Sequence, residues 1–342
     1  MKKILFAATA LAAALFASCD KADETMNPLQ PGTADGARVT ITLSGADAET
    51  RAFFDNTAMA EAWEKSLSSL SVFAFDNGGG LIVRRDFTPA ELMAKSATFA
   101  LPKSTAGTEC SFYAVANYDA SSAKTRAALT ALVENSAAAY NGTFAEVSTK
   151  AKRSGGFVMS GFATKTVGAV NTTTSVGITL KRTVAKVAVQ TTVDPLFANK
   201  YSGTLTINSV KLSKAASQSL VVAGTPTPGT MTFSHTQTPA EASGNYNALF
   251  YCFENGALAA GSRVLLEINA TYDPDGSAST PDDRSEVTYS SELTGKAAGE
   301  ILRNGYYRIA ANITGLVGQD CAVTVTVADW ETPVTQNIDL GA

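Results

Sequence analysis

Residues 38–44 read RVTITLS, and this stretch decides the fold class. Val39, Ile41 and Leu43 fall on one side of an extended chain, while Thr40 and Thr42 fall on the other, because successive side chains of a strand point to opposite faces. The same period of two recurs along most of the sequence, broken by Gly, Asn, Asp and Pro. Strand patterns occur at 97–101, 110–117, 157–162, 176–180, 183–192, 203–213, 248–253, 263–272, 285–291, 305–313 and 321–329. In the run at 70–75, Leu70, Val72 and Ala74 alternate with Ser71, Phe73 and Phe75, so both faces are apolar. The run FDNGGGLIV (75–83) reads as a hairpin with Asp76–Gly80 as its loop. Only two stretches carry helical spacing: Ala58–Leu67, and Lys124–Asn135 with Ala128, Leu129, Leu132 and Val133 on one stripe. Many short strands with two minor helices predict an all-β protein made of β-sandwiches. A length of 342 residues suggests two domains, divided near residues 178–183.

Composition narrows the function. The chain is 45% hydrophobic and 17% charged, with a net charge of −4, so no basic field draws it to nucleic acid. The single histidine, His235, lies in a polar, turn-rich stretch. That argues against His-based triads and metal sites. No paired carboxylates stand out as an acid/base couple, and the expectation is a protein that is not an enzyme and needs no cofactor and no metal. The stretch Tyr272-Asp273-Pro274-Asp275-Gly276 hints at a calcium loop, but Arg284 occupies the position where a bidentate Glu belongs, and a turn is expected instead. Cys19, Cys110, Cys252 and Cys321 form no CxxC pair. A Cys252–Cys321 bridge and buried free thiols are both open.

The beginning of the chain, MKKILFAATALAAALFASC, has a positive n-region at Lys2 and Lys3, then an apolar stretch from Ile4 to Phe16 that is too short to span a bilayer. Ala17 and Ser18 are the small residues before Cys19. The pattern resembles a bacterial lipoprotein signal, with Phe16 where Leu is usual, and implies that the Cys19 thiol is acylated. An acidic cluster (Asp20, Asp23, Glu24) and a Pro/Gly-rich linker at 25–37 follow as a tether. Further on, AETRAFF (48–54) places Arg51 just beyond the 39–43 strand and before an aromatic pair. An Arg-specific protease needs an exposed, extended basic residue, and cutting between Arg51 and Ala52 would release everything up to and including the 39–43 strand. A second copy of the tripeptide, Thr125-Arg126-Ala127, opens an apparent helix and offers its backbone less readily.

The ordered set of segments resembles the major fimbrial subunit (fimbrillin) family of Bacteroidales-type pili, the type V pilus subunits. The segments are the signal ending at Cys19, the strand-then-TRA stretch at 39–52, SLSVFAFDNGG at 69–79, CSFYAVAN at 110–117 and GFVMSGFA at 156–163. They continue with LKRTVAKVAV at 180–189, ALFYCFENG at 248–256, NGYYRIAANITG at 304–315 and VTVTVADW at 323–330. The bland reading of Arg182 and Lys186 is the polar face of a strand, and that of Phe250, Tyr251 and Phe253 is core.

The resemblance implies two transthyretin-like β-sandwich domains with minor short helices and assembly by strand exchange. The expected organisation is a lipoprotein signal (1–19), a tether plus removable strand (20–51), an N-terminal sandwich (52–180), and a C-terminal sandwich with a donor tail (181–342). Val39, Ile41 and Leu43 would fill a groove until Arg51 is cut, and Val334, Ile338 and Leu340 would mark the replacement strand. The implied partners are further copies of the chain or related pilins, the outer membrane through the lipid, an Arg-specific protease, and host or bacterial surface receptors. The implied location is the outer membrane, as a lipoprotein, and then the cell-surface fimbrium. A tip adhesin or lipid-retaining anchor of the same pilus, or a surface glycan-binding lipoprotein, are the competing readings.

Overall fold

The computed structural model describes residues 36–44, 60–226, 231–316, 328–329 and 337–340. Strands dominate. In the first half they are β1 (Ala37–Ser44), β2 (Leu70–Phe75), β3 (Leu81–Asp86), β4 (Ser96–Leu101), β5 (Glu109–Ala116), β6 (Val133–Glu134), β7 (Met159–Thr166), β8 (Thr173–Thr179) and β9 (Lys181–Arg182). The second half contains β10 (Val184–Val193), β11 (Thr204–Ala215), β12 (Ser219–Leu220), β13 (Phe233–Gln237), β14 (Ala240–Ala242) and β15 (Asn245–Phe253). It continues with β16 (Leu265–Asp273), β17 (Ser285–Glu292), β18 (Gly305–Ile313), β19 (Ala328–Asp329) and β20 (Asn337–Leu340). The helices are short: α1 (Pro89–Ala94), α2 (Arg126–Thr130), α3 (Phe144–Val147) and α4 (Phe197–Lys200).

Two sandwiches result. The first packs the sheet β4-β1-β8 on the sheet β3-β2-β5-β7-β9. Val39, Ile41, Phe99, Leu101, Val176 and Ile178 from one sheet meet Val72, Ala74, Phe112 and Ala114 from the other in a single core. The second packs the sheet β14-β15-β10-β18, which β19 and β20 extend beyond β18, on the sheet β13-β11-β16-β17. Its core joins Val187, Val189, Phe250 and Ile309 to Ile207, Leu212, Leu266 and Ile268. The chain passes from one to the other between β9, which pairs with β7, and β10, which pairs with β15 and β18.

The halves are joined by more than this crossing. Tyr140, Val147 and Phe157 pack against Val184, Ala188, Leu249, Tyr251 and Phe253. In the opposite sense, Val221 and Val222 reach back into a cluster with Phe73, Phe75, Val115 and Leu129, while β12 pairs with β6. Arg303 holds this return loop in place. It is paired with Glu254 and donates to the Leu220 carbonyl at 2.8 Å and to the Val221 carbonyl at 3.3 Å. Both faces of β2 are therefore packed, as its residue pattern requires.

Two local expectations change. The helical stripe at 124–135 becomes helix only over Arg126–Thr130, and Val133–Glu134 becomes a strand instead, because Ser219–Leu220 lies alongside it. The stretch 58–67 is helical only as one 3-10 turn, Ala62–Lys65. That turn carries Glu64, which is wholly buried at the junction of the halves. One carboxylate oxygen accepts from Lys186 Nζ at 2.8 Å and from the Tyr251 hydroxyl at 2.7 Å, and the other from the Glu61 N–H at 2.8 Å. Arg182 Nε donates to the Glu64 carbonyl at 2.8 Å and Arg182 Nη1 to Asn304 at 2.8 Å. Arg182 and Lys186 are thus buried cations, Lys186 paired with the Glu64 carboxylate and Arg182 bonded to the Glu64 carbonyl and Asn304, and not the polar face of a strand. Burial alone would raise the Glu64 pKa, but the Lys186 and Arg182 charges and the hydrogen bonds from Lys186 and Tyr251 outweigh it and hold the carboxyl below its ordinary value.

Removing one member of a buried ion pair leaves the other unpaired and costs about 3–5 kcal/mol. Glu64→Gln is expected to lower unfolding stability by about that amount in denaturant titration. Because the folded-state pKa is lowered, the Glu64 contribution is present above the ordinary glutamate pKa and is lost as pH falls through the folded value. The gap between wild type and Glu64→Gln should therefore narrow in acid.

Candidate functional site

Strand β1 is the middle strand of its sheet. It runs antiparallel to β4, with Ala37 opposite Leu101 and Thr42 opposite Ser96, and parallel to β8, with Arg38 opposite Thr173 and Ser44 opposite Thr179. Ala37, Val39 and Ile41 are 0% exposed and Leu43 is 6% exposed, while Arg38, Thr42 and Ser44 face outward. The expected removable residues Val39, Ile41 and Leu43 therefore lie together on the inner face. At 1.5–3 kcal/mol per buried side chain, these three contribute roughly 5–9 kcal/mol.

Polar contacts hem the strand in. Thr40 and Thr98 share a hydroxyl contact at 2.8 Å, Ser44 and Thr179 another at 3.0 Å, and Ser96 Oγ donates to the Ile41 carbonyl at 3.0 Å. At the entry end the fit is closest: a Cβ built on Gly36 would lie 2.2 Å from the Leu101 carbonyl oxygen, so only glycine is accommodated there without a shift. Taking β1 away would leave the facing edges of β4 and β8 without partners and uncover the core between the sheets.

The other expected site residues are dispersed. Ile338 and Leu340 lie in β20, whose backbone pairs in parallel with β18, Asn337 opposite Ala310 and Leu340 opposite Ile313. Cys19, Arg51, Ala52 and Val334 lie outside the described residues. The competing tripeptide at 125–127 is held by its surroundings. Thr125 caps α2 by accepting from the Ala128 N–H at 3.1 Å, and the Arg126 N–H donates to the Gly79 carbonyl at 3.0 Å. An extended conformation for a protease would require breaking both.

Three further points bear on chemistry. His235 lies in β13, not in a loop, with Nε2 at 3.0 Å from the Gly142 carbonyl. Cys252 is a free thiol in the second core, so it forms no bridge, and burial pushes its pKa up to about 12. Asp273, Asp275 and Asp283 gather at one loop, where Arg284 Nε pairs with Asp273 at 3.0 Å. Among the described residues no helix is long and apolar enough to cross a membrane. What the sequence reading missed is the Glu64 cluster. No signal in the sequence could have found it, because a glutamate in a short helical turn reads the same buried or exposed until its partner strand is known.

The fold is shared with solved structures. A fimbrilin from Porphyromonas gingivalis superposes with a TM-score of 0.56 at 17% identity, covering 90% of this chain and 97% of its own. A provisionally named cell adhesion protein from Bacteroides eggerthii gives 0.57 at 18% identity, covering 90% and 96%. The tip fimbrial protein Mfa3 from Porphyromonas gingivalis, with a C-terminal truncation, gives 0.50 at 13% identity, covering 80% and 94%. At these identities the likeness is one of fold alone. No curated protein sequence matches. The family model of the major fimbrial subunit protein (FimA) matches residues 37–249, more than half of the chain, and the chain belongs to that family. Membership makes it a structural subunit of cell-surface fimbriae, in agreement with the resemblance its ordered segments carry. The match begins at Ala37, the first residue of β1.

Inward and outward positions of β1 should respond differently to truncation. Ile41→Ala is expected to cost about 2–5 kcal/mol, whereas Thr42→Ala, on the exposed face, should stay within about 0.5 kcal/mol. Equilibrium unfolding of the two variants measures the difference.

Proposed function

We propose that the chain is a repeating pilus subunit that polymerises by strand exchange once β1 has been cut away. The observation that supports this most is the place of β1: a central strand with a fully apolar inner face, connected to the rest of the protein through the segment that contains Arg51. While that segment is intact, β1 is held at its site by the chain itself and no other strand can compete. After cleavage between Arg51 and Ala52 it is held by non-covalent contacts alone. A vacated site, with two unpaired strand edges and an uncovered core, is a template for another strand.

In this reading the occupant is the segment around Val334, Ile338 and Leu340 of a second copy or a related pilin. The contact is head-to-tail, and because it does not close on itself it propagates into a filament. Before processing, the acylated Cys19 holds the chain in the outer membrane, and an Arg-specific protease releases it. The finished fimbrium carries the adhesive function through contact with surface receptors.

Arg51→Ala is expected to abolish filament formation and to leave folded monomer of unchanged stability, while Arg126→Ala polymerises normally. The measurement is Arg-specific proteolysis of the purified chain followed by intact mass and electron microscopy. Cleavage at Ala52 that yields only monomers would overturn the repeating-subunit reading in favour of a tip subunit. Filaments formed by Arg51→Ala would overturn the role of the cleavage.

A further inference from the structure

One end of the first sandwich carries an open cleft of about 500 Å3 that strand exchange does not use. We propose that this cleft binds a neutral carbohydrate, a short chain of hexose rings. The inference deepens one part of the reading above, the contact with surface receptors, and is independent of polymerisation, because every residue it needs is present in the unprocessed chain.

Three segments line the cleft. The β2–β3 hairpin contributes Ser71, Arg84 and Asp86, helix α1 contributes Pro89 and Leu92, and the turns after β5 and before β7 contribute Tyr118, Asp119 and Ser154. The volume falls in the range of small-molecule sites, roughly 300–1,000 Å3.

These segments are fixed before any ligand arrives. Asn117 is 5% exposed and holds a left-handed backbone, with φ at 60°. Its Oδ1 accepts from the Ser68 N–H at 2.8 Å, and its Nδ2 donates to the Ser66 carbonyl at 2.8 Å and the Phe157 carbonyl at 2.7 Å. One side chain thus ties the start of β2 to both turns. Helix α1 is pinned by the Thr88–Glu91 capping box and by Arg85, whose Nη2 pairs with Glu91 at 2.8 Å. A preorganised site loses little entropy on binding.

Charge selects the ligand class. Two cations, Arg84 and Arg153, and two carboxylates, Asp86 and Asp119, line the cleft, so they cancel. Both guanidinium groups are already engaged. Arg84 Nε and Nη2 donate to Asp86 at 3.0 and 2.8 Å. Arg153 Nη1 donates to the carbonyls of Asn117, Ser154 and Gly156, and its Nη2 pairs with Glu134 at 3.4 Å. A phosphate, sulfate or carboxylate would have to break these bonds. A cationic ligand fares no better, because Arg84 accompanies both carboxylates. Ser121 holds the Asp119 carboxyl below its ordinary pKa through a side-chain and a backbone hydrogen bond, and the Arg84 charge adds to the effect.

What the cleft offers is hydrogen-bonding capacity without net charge. The exposed Asp119 accepts from the Ser121 N–H at 2.9 Å, and a carboxylate has about four lone-pair sites. Ser69 and Ser154 are exposed in the lining, and a hydroxyl donates or accepts in turn. A sugar hydroxyl donates to a carboxylate and accepts from a serine while remaining neutral. Pro89, Leu92 and Tyr118 supply apolar surface for the C–H face of the ring, the Tyr118 hydroxyl being committed to the Val133 carbonyl at 3.1 Å. Repetition of the cleft along a filament converts weak single contacts into firm attachment through effective concentration.

The test uses the purified, unprocessed whole chain and saturation-transfer NMR with lactose, maltose, diacetylchitobiose and sialyllactose. Saturation transfer to at least one neutral disaccharide, with millimolar affinity, is expected. Losing a hydrogen bond to a charged group, in Asp119→Ala, should weaken that affinity about tenfold. Ser69→Trp, which fills the cleft from an exposed position, should abolish it, with the denaturant midpoint of both variants unchanged. No saturation transfer to any neutral disaccharide overturns the proposal. Binding that both variants retain in full overturns the assignment to this cleft, and sialyllactose bound more tightly than lactose overturns the neutral class. Binding by a chain that never forms filaments supports the site and counts only against strand exchange.

Discussion

A strand in the middle of a sheet is the constraint on which this structure depends. β1 supplies hydrogen-bonding partners to two neighbours at once and closes one side of a core with Ala37, Val39, Ile41 and Leu43. An edge strand could leave with the loss of one ladder. A central strand cannot, because its departure separates β4 from β8 and turns an interior into a surface. The first sandwich is therefore complete only when something occupies that position. In the strand-exchange proposal, cleavage at Arg51 would make the subunit's completeness conditional, which is a property a self-assembling building block can use.

The second sandwich is organised differently. Its large sheet is buried on both faces, which is why β10 is buried at every position from Val184 to Val189 instead of alternating. One face meets the β11–β16 sheet and the other meets the first half of the chain through Tyr140, Phe157 and Tyr251. The buried charges at this contact are mutually satisfied: Glu64 comes from one half, and Lys186 and Tyr251 from the other.

Much of this was legible in the residues. Period-two alternation located nearly every long strand, because alternation depends on which face is wet and needs no knowledge of partners. The both-sided apolar pattern of Leu70–Phe75 correctly implied two packed faces. What escaped were features decided by distant segments. Val133–Glu134 has helical spacing yet is a strand because Ser219–Leu220 lies beside it. His235 sits among turn-forming residues yet belongs to a strand because β11 supplies its hydrogen bonds. Arg182 and Lys186 look like a solvated face until Glu64, more than a hundred residues earlier, is placed against them. The central position of β1 was equally hidden: the inner residues Val39, Ile41 and Leu43 could be named from the pattern, but not the neighbours that make their removal consequential.

The joint between the sandwiches has a mechanical corollary. A pull applied at the β1 site and resisted at the far end of the second sandwich must cross the contact held by Glu64, Lys186, Arg303 and the interdigitated aromatic side chains. Each half inserts a segment into the other, so among the described residues the joint has no free hinge. Such a subunit behaves as one stiff link, and a fibre made of them takes up bending and stretch at the connections between links.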